Sequence, residues 1–412
     1  EISTPSGSMS TNGNAVQISK HPYNTRTFDG LIDEVRISAV ARSADWIKTH
    51  YNNQQWPNKA DWPDDGFITV TDALGSDIAD FPVLVSIQSD PQLKTTASGG
   101  MVMNANGYDI IFTSDSAGTI PLSHEVESYD GTTGTLTAWV KLPVLKIDED
   151  TEFYLYYGNS SIDSPTEIPA EVWDDNFLLV HHLKESSGTL NDSTQYNHNS
   201  NTEAGMTYQQ TGQIGNSLLF DESNDYYDVS DFDYGDTFTV SMWAKATDNV
   251  GSGYQYLYSH DEYGTYPSLN IMFSEDSQGS DADDLIGSIR DNGTSNEGVR
   301  SDVSAGDTNA TDGSWHFITV TRLRNGTNSL SLDGATQDTS AGADTAIDPV
   351  GNINIGRRQD GNSTRYFGGH LDEIRISNVV RPAAWIQTNY NNQRWPNKAQ
   401  HPDEGFITVQ RG

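Results

Sequence analysis

Carboxylates are the reactive groups this sequence holds in excess: 58 aspartates and glutamates stand against 23 lysines and arginines, a formal charge of −35. Paired carboxylates can cleave a glycosidic bond, and retaining geometry needs them about 5 Å apart. A Glu-x-Asp-x-Glu strand would bring three to one face, because side chains alternate along a strand. No glutamate here has an aspartate two positions later. Gly-x-Ser-x-Gly, His-Glu-x-x-His and the phosphate-cradling P-loop are missing as well. His181-His182 with Glu185 offers imidazole and carboxylate together, but alternation sends the two rings to opposite faces and denies a metal triad. The expectation is a chain with no catalytic residues.

Oxygen ligands are the second possibility. Calcium takes six to eight oxygens, from carboxylates and backbone carbonyls together. The turn Asp192 to Ser200 is acidic and rich in asparagine, and Asp372-Glu373 lies in the strand-like Leu371 to Ser377. Alternation puts Asp372 on the face of Ile374 and Ile376, inward, where a buried carboxylate needs a partner. Glu373 then shares the outer face with Arg375, as a surface ion pair. Asp281 to Asp284 and Asp307 to Gly313 read as solvated loops. The third possibility is sugar binding through aromatics. The stretch Gly251 to Ser268 is rich in tyrosine; Tyr256 and Tyr258 alternate with Leu257 and belong to packing, which leaves Tyr263 and Tyr266 as the candidate platform.

These groups must be held by short strands. Apolar alternations separated by Gly, Asn, Asp and Ser turns indicate an all-β chain of antiparallel β-sandwiches, with short helices only at the domain junctions. The acidity excludes a nucleic-acid partner and docking on anionic lipid, both of which need clustered basic residues. No apolar run is long enough to span a membrane. With no cysteine, stability must come from packing or metals. The segment Arg26 to Val70 recurs without a gap as Arg365 to Val409, 339 residues later, with about two thirds of positions identical. A period this long means repeated whole domains. The expected organisation is the end of a preceding repeat at 1–60, a small sandwich at 61–165, a larger sandwich at 166–396 and the start of the next small sandwich at 397–412. Ser43, or Pro382 in the second copy, should open a short helix.

Two resemblances sharpen this. The series Gly107 to Asp130, Thr137 to Pro143 and Phe153 to Asn159 resembles an uncharacterised β domain of prokaryotic surface proteins that often precedes jelly rolls. The larger unit resembles the laminin-G-like, concanavalin-like jelly-roll family. The resemblance rests on Gly215 with Phe220-Asp221, Met242-Trp243, Asp312-Gly313 before Trp315-His316, Asp333-Gly334 and Leu371-Asp372-Glu373. It implies two stacked antiparallel sheets, and a structural calcium ion held by Asp192 and Asp372 with a carbonyl from Asn197. The family's Gly-Asn-Gly is replaced here by Gln195-Tyr196-Asn197. The functional expectation is an extracellular or cell-surface tandem-repeat protein, structural or adhesive, whose partners are neighbouring copies of itself joined by strand complementation. The alternative is a carbohydrate-binding accessory region of a secreted polysaccharide-degrading enzyme, with glycans as partners.

Overall fold

The computed structural model describes residues 68–70, 75–147, 150–246, 253–261, 266–274, 283–291, 296–302, 306–360, 363–396 and 406–409, all within one compact unit. The strands and helix expected before residue 61, and Tyr263, lie outside the described residues.

Seven strands build the small sandwich: β1 (Ile68–Val70), β2 (Ile78–Ile87), β3 (Ile111–Thr113), β4 (Pro121–Leu122), β5 (His124–Asp130), β6 (Thr135–Leu145) and β7 (Thr151–Tyr156). One sheet is β2-β6-β5, and the other contains β1-β7-β3-β4. The β5–β6 hairpin closes at Gly134, whose φ of 76° is left-handed and whose Cβ position would lie 1.9 Å from the Asp90 carbonyl oxygen. Glycine alone satisfies both conditions. A 3-10 turn at Thr96–Ser98 adds a short helical piece inside this sandwich, away from the domain junctions.

A one-turn helix α1 (Pro169–Val172) leads into the jelly roll. Its strands are β8 (Phe177–His181), β9 (Ser200–Ala204), β10 (Thr207–Thr211), β11 (Asn216–Asp221), β12 (Tyr226–Val229), β13 (Phe238–Lys245), β14 (Gln255–His260), β15 (Ser268–Phe273), β16 (Leu285–Arg290), β17 (Val299–Arg300), β18 (His316–Arg322), β19 (Thr327–Leu332), β20 (Ala335–Ala341), β21 (Ile353–Ile355), β22 (Arg357–Asp360), β23 (Ser363–Tyr366) and β24 (Gly368–Ser377). One sheet runs β10-β11-β24-β13-β18-β19-β20, with β8 also paired to β24; the other runs β17-β16-β15-β14-β21-β12-β9. Between them lies one apolar core that includes Val240, Met242, Leu269, Ile271, Ile318, Leu330, Ile374 and Ile376.

The outer face of the first sheet is dry as well. Val180, Trp243 and Phe317 belong to a second apolar cluster that continues into the small sandwich through Phe81, Leu84 and Trp139. Thr135 to Leu142 alternates as a half-wet strand would, yet every residue from Leu136 to Val140 is buried, because the jelly roll covers the second face. Helix α2 (Ala383–Arg394) contributes Trp385, Ile386 and Tyr390 to the same cluster. Pro382 stands at its N-cap, one place before the first turn where it was expected. Asn392 turns its amide onto the open edge of β2. Its Oδ1 accepts from the Leu84 N–H at 2.7 Å and its Nδ2 donates to the Leu84 carbonyl at 3.1 Å. One side chain thus supplies the two bonds a neighbouring strand would have made.

The last described strand, β25 (Ile407–Val409), is the sequence copy of β1 and pairs with it antiparallel, Ile68 opposite Val409 and Val70 opposite Ile407. It completes a five-stranded sheet β25-β1-β7-β3-β4.

Candidate functional site

Where β5, β24 and the end of β8 meet, the two sandwiches enclose a group of charged side chains. β5 carries Glu125 and Glu127 two residues apart, so both face the jelly roll, and both are buried. β8 hands over to His181 and His182, which turn to opposite sides. His181 meets the Tyr227 hydroxyl and the His198 carbonyl, and His182 points into the junction.

β24 does not alternate as expected. Glu373 has a left-handed φ of 52°, and the register against β13 shifts between Ser241 and Trp243. This bulge inserts one extra residue. Leu371 and Ile374 both face the inter-sheet core, while Asp372, Glu373 and Arg375 share the other face. Asp372 therefore does not point in with Ile374 and Ile376. Nor is Glu373–Arg375 a surface pair: the side chains are 0% and 1% exposed, with Arg375 Nη2 2.5 Å from Glu373 Oε2. The small sandwich covers the face that an isolated jelly roll would show to water.

His182 lies at the centre. Its Nδ1 is 2.6 Å from Glu373 Oε1 and 3.8 Å from Glu127 Oε2, and its Nε2 is 3.2 Å from Glu125 Oε2. Glu125 also accepts from Lys184 Nζ at 2.9 Å, Ser193 Oγ at 2.7 Å and the Trp173 indole at 3.2 Å. Glu127 Oε2 accepts from the Trp139 indole at 2.9 Å. Asp372 Oδ2 accepts from the Ile214 N–H at 2.9 Å. The Arg375 guanidinium lies 4.4 Å from the centre of Trp139 and 4.8 Å from that of Trp173. Two carboxylate oxygens, Glu127 Oε1 and Asp372 Oδ1, are buried without a donor.

Burial penalises every charge here, and the neighbours decide which survive. Burial and the Glu373 charge push Glu127 up to about 7. Burial and Glu373 also raise Asp372 well above the carboxylate range. Against burial, His182 and Arg375 hold Glu373 low, and His182 and Lys184 hold Glu125 low. Burial lowers the His182 imidazole, but Glu373 and Glu125 outweigh it and lift the group to about 10.

The residues singled out from sequence are placed elsewhere or tied up locally. Asp192 is buried and uses both oxygens within its own loop: Oδ1 accepts from Val180 N and Thr194 N, and Oδ2 from Thr194 Oγ1 and His198 N. An ion there would have to displace these four donors. Asn197 is left-handed, with a φ of 56°, and its amide donates to the Gln195 carbonyl. Asp192 and Asp372 serve different segments, the 178–198 loop and Ile214. Tyr266 is 49% exposed, with Arg290 5.4 Å above its ring and donating to its hydroxyl. Glu185 accepts from Asn191 and does not join His182. Among the described residues, Glu127, His182 and Glu373 form the one group of three whose donor atoms lie close enough to share an ion, within 4.8 Å of one another. Sequence reasoning passed over Glu125 and Glu127. The available signal was a Glu-x-Glu pair on one strand face beside a second unit that also offered an inward histidine.

Residues 221–387 match the family described as "Concanavalin A-like lectin/glucanases superfamily", and residues 106–177 match "Domain of unknown function (DUF2341)". A domain of unknown function is followed by a laminin-G-like, concanavalin-type domain. The junction cluster draws on both matched segments and on the residues between them. A comparison with curated proteins finds no match. Among solved structures, the binding domain of Paraclostridial Mosquitocidal Protein 1 is similar at 16% identity and a TM-score of 0.43, over 53% of this chain and 52% of that one. The botulinum neurotoxin serotype D binding domain is similar at 16% identity and 0.41, over 53% and 52%. The type G receptor binding domain is similar at 14% identity and 0.42, over the same shares. The chain thus spans about half the length of these structures.

Proposed function

We propose that this chain is part of an extracellular tandem-repeat protein with a structural or adhesive role, in which the first strand of one small sandwich completes the sheet of its neighbour. The observation that supports this reading is β25. It repeats the sequence of β1 and adds to β1 antiparallel, with Phe406 4% and Ile407 0% exposed in the apolar cluster of the small sandwich. Phe406 also packs on Phe81, with ring centres 6.5 Å apart. Strand addition of this kind draws affinity from main-chain bonds and specificity from alternate side chains in pockets. A repeat that ends on such a strand can join the next copy head to tail, and open joins of that kind grow into filaments. The test is a chain ending at Pro396, offered a peptide spanning residues 400–412. The reading expects the shortened chain to melt lower or self-associate, and the peptide to bind it and restore the melting temperature. A shortened chain that is monomeric, equally stable and indifferent to the peptide refutes it.

The exposed ring of Tyr266 supports a second reading, sugar binding by the jelly roll as an accessory region of a polysaccharide-degrading enzyme. A glycan array probed with the chain and with Tyr266→Ala decides it. Binding that is lost in the variant supports the reading, and no binding to any glycan removes it.

A further inference from the structure

The Glu127–His182–Glu373 cluster has a use beyond holding the two sandwiches together. Four buried carboxylates meet there, on Glu125, Glu127, Asp372 and Glu373, and Lys184 and Arg375 offset two of the charges. Uncompensated buried charge is strongly destabilising, so two further positive charges must be found. Two protons or one divalent cation would supply them.

The donor set also suits the cation. Glu125 accepts from His182 Nε2 and Glu373 accepts from Nδ1, so a cation would take the place of the Nδ1 proton, between Glu373 and Glu127. An imidazole oriented through its far nitrogen by a carboxylate is the usual support of a metal-binding histidine. The carboxylates are oriented too: Trp139 holds Glu127 Oε2 and Arg375 holds Glu373 Oε2. Independently of the cluster's charge, two wholly buried oxygens of these carboxylates, Asp372 Oδ1 and Glu127 Oε1, have no donor among the described residues.

We infer that Glu127, His182 Nδ1 and Glu373 form a binding site for a divalent first-row transition ion, with zinc as the best match, at the junction of the two sandwiches. One imidazole and two carboxylates suit zinc and its neighbours. The ion would lock the domain of unknown function onto the jelly roll and set their relative orientation.

The experiment uses the full chain, stripped with a strong chelator and titrated with Zn²⁺ by calorimetry and thermal melting. Co²⁺ serves as a coloured substitute that reports its ligands. Expected are one tightly held equivalent of zinc, a higher melting temperature and a cobalt spectrum of low-symmetry mixed nitrogen and oxygen ligation. His182→Gln and Glu373→Gln should abolish all three. Glu125→Gln, which leaves the ligands in place but weakens their support, should lower affinity about 10–100-fold. No zinc binding by the stripped wild-type chain overturns the inference. Equal binding by His182→Gln overturns it too, since the ion would then sit elsewhere on the acidic surface, as does tighter binding of calcium than of zinc. If His182→Gln does not fold, Glu127→Gln carries the test, because its amide oxygen can still accept from Trp139 while one anionic ligand is gone.

Discussion

Replacing Asn392 by alanine tests how the helix that follows the jelly roll is coupled to the small sandwich. The side chain makes two bonds to one residue of a buried strand edge, Leu84 N–H at 2.7 Å and Leu84 C=O at 3.1 Å. Alanine leaves both backbone groups without a partner. Each buried group left unsatisfied costs about 1–3 kcal/mol. A water entering the vacated space recovers part of that. A loss of about 2–4 kcal/mol is expected, which for a unit of this size lowers the melting temperature by about 3–5 °C. Amide hydrogen exchange at Leu84 should speed up by a comparable free energy, because the bond that protects it is gone. Asn392→Asp separates the two halves of the interaction. It keeps an acceptor for the Leu84 N–H but places a charge against the Leu84 carbonyl, so it should be no milder than alanine. Gln387→Ala on the same helix removes only a bond to Asn391 and should stay within about 0.5 kcal/mol of wild type. If Asn392→Ala melts within a degree of wild type and Leu84 exchanges no faster, the amide is not what holds β2, and the edge is closed by packing alone.

Three further outcomes follow from buried polar contacts in the jelly roll. Burial lowers the His316 imidazole, but Asp333 at 2.8 Å and Asp312 at 3.1 Å outweigh it and raise the group. The folded state therefore binds the proton more tightly than the unfolded one, so its contribution is full below about pH 6.5 and fades as pH rises through the raised value. In melting curves taken from pH 6 to 9, His316→Asn should remove that part of the decline; an unchanged slope would place the proton elsewhere. Arg322 is fully buried and pairs in fork geometry with Glu297, at 3.0 and 2.9 Å. Arg322→Ala strands a buried carboxylate and should cost about 3–5 kcal/mol in denaturant unfolding, much of it recovered by adding Glu297→Leu; equal instability of the double variant would show that packing, not charge, is at stake. Asp192→Ala removes the acceptor for four donors and should cost at least about 2 kcal/mol. Millimolar calcium should leave the wild-type melting curve where it is, and a clear rise lost in Asp192→Ala would mean that the ion does take those lone pairs.

The all-β class and the pairing of a small sandwich with a jelly roll were legible because both rest on local signals. Hairpins such as β5–β6 announce themselves through glycines that only a left-handed turn requires, and alternation marks the strands on either side. The junction was legible only in fragments. Glu125, Glu127, Glu373 and Arg375 sit at alternating positions that would face water in either sandwich taken alone, and alternation carries no record of a second unit lying on that face. The bulge was invisible for a different reason. One residue adopting a left-handed φ moves Asp372 from the face of Ile374 to the face of Arg375, and no glycine or asparagine at position 373 warned of it.

That failure of alternation is itself informative about how the chain works. A bulge that turns two consecutive acidic residues, Asp372 and Glu373, away from a core and into a buried junction is costly unless something there repays the desolvation. Arg375, Lys184 and His182 do so in part, and each comes from the jelly roll, whereas Glu125, Glu127, Trp139 and the second apolar surface come from the small sandwich. Neither unit can satisfy its half alone. Separated, the jelly roll would expose His182 and Arg375 without their partners Glu125, Glu127 and Trp139, and the small sandwich would expose Trp139 beside two glutamates. The physical unit is therefore the pair of sandwiches with its helix, not either domain.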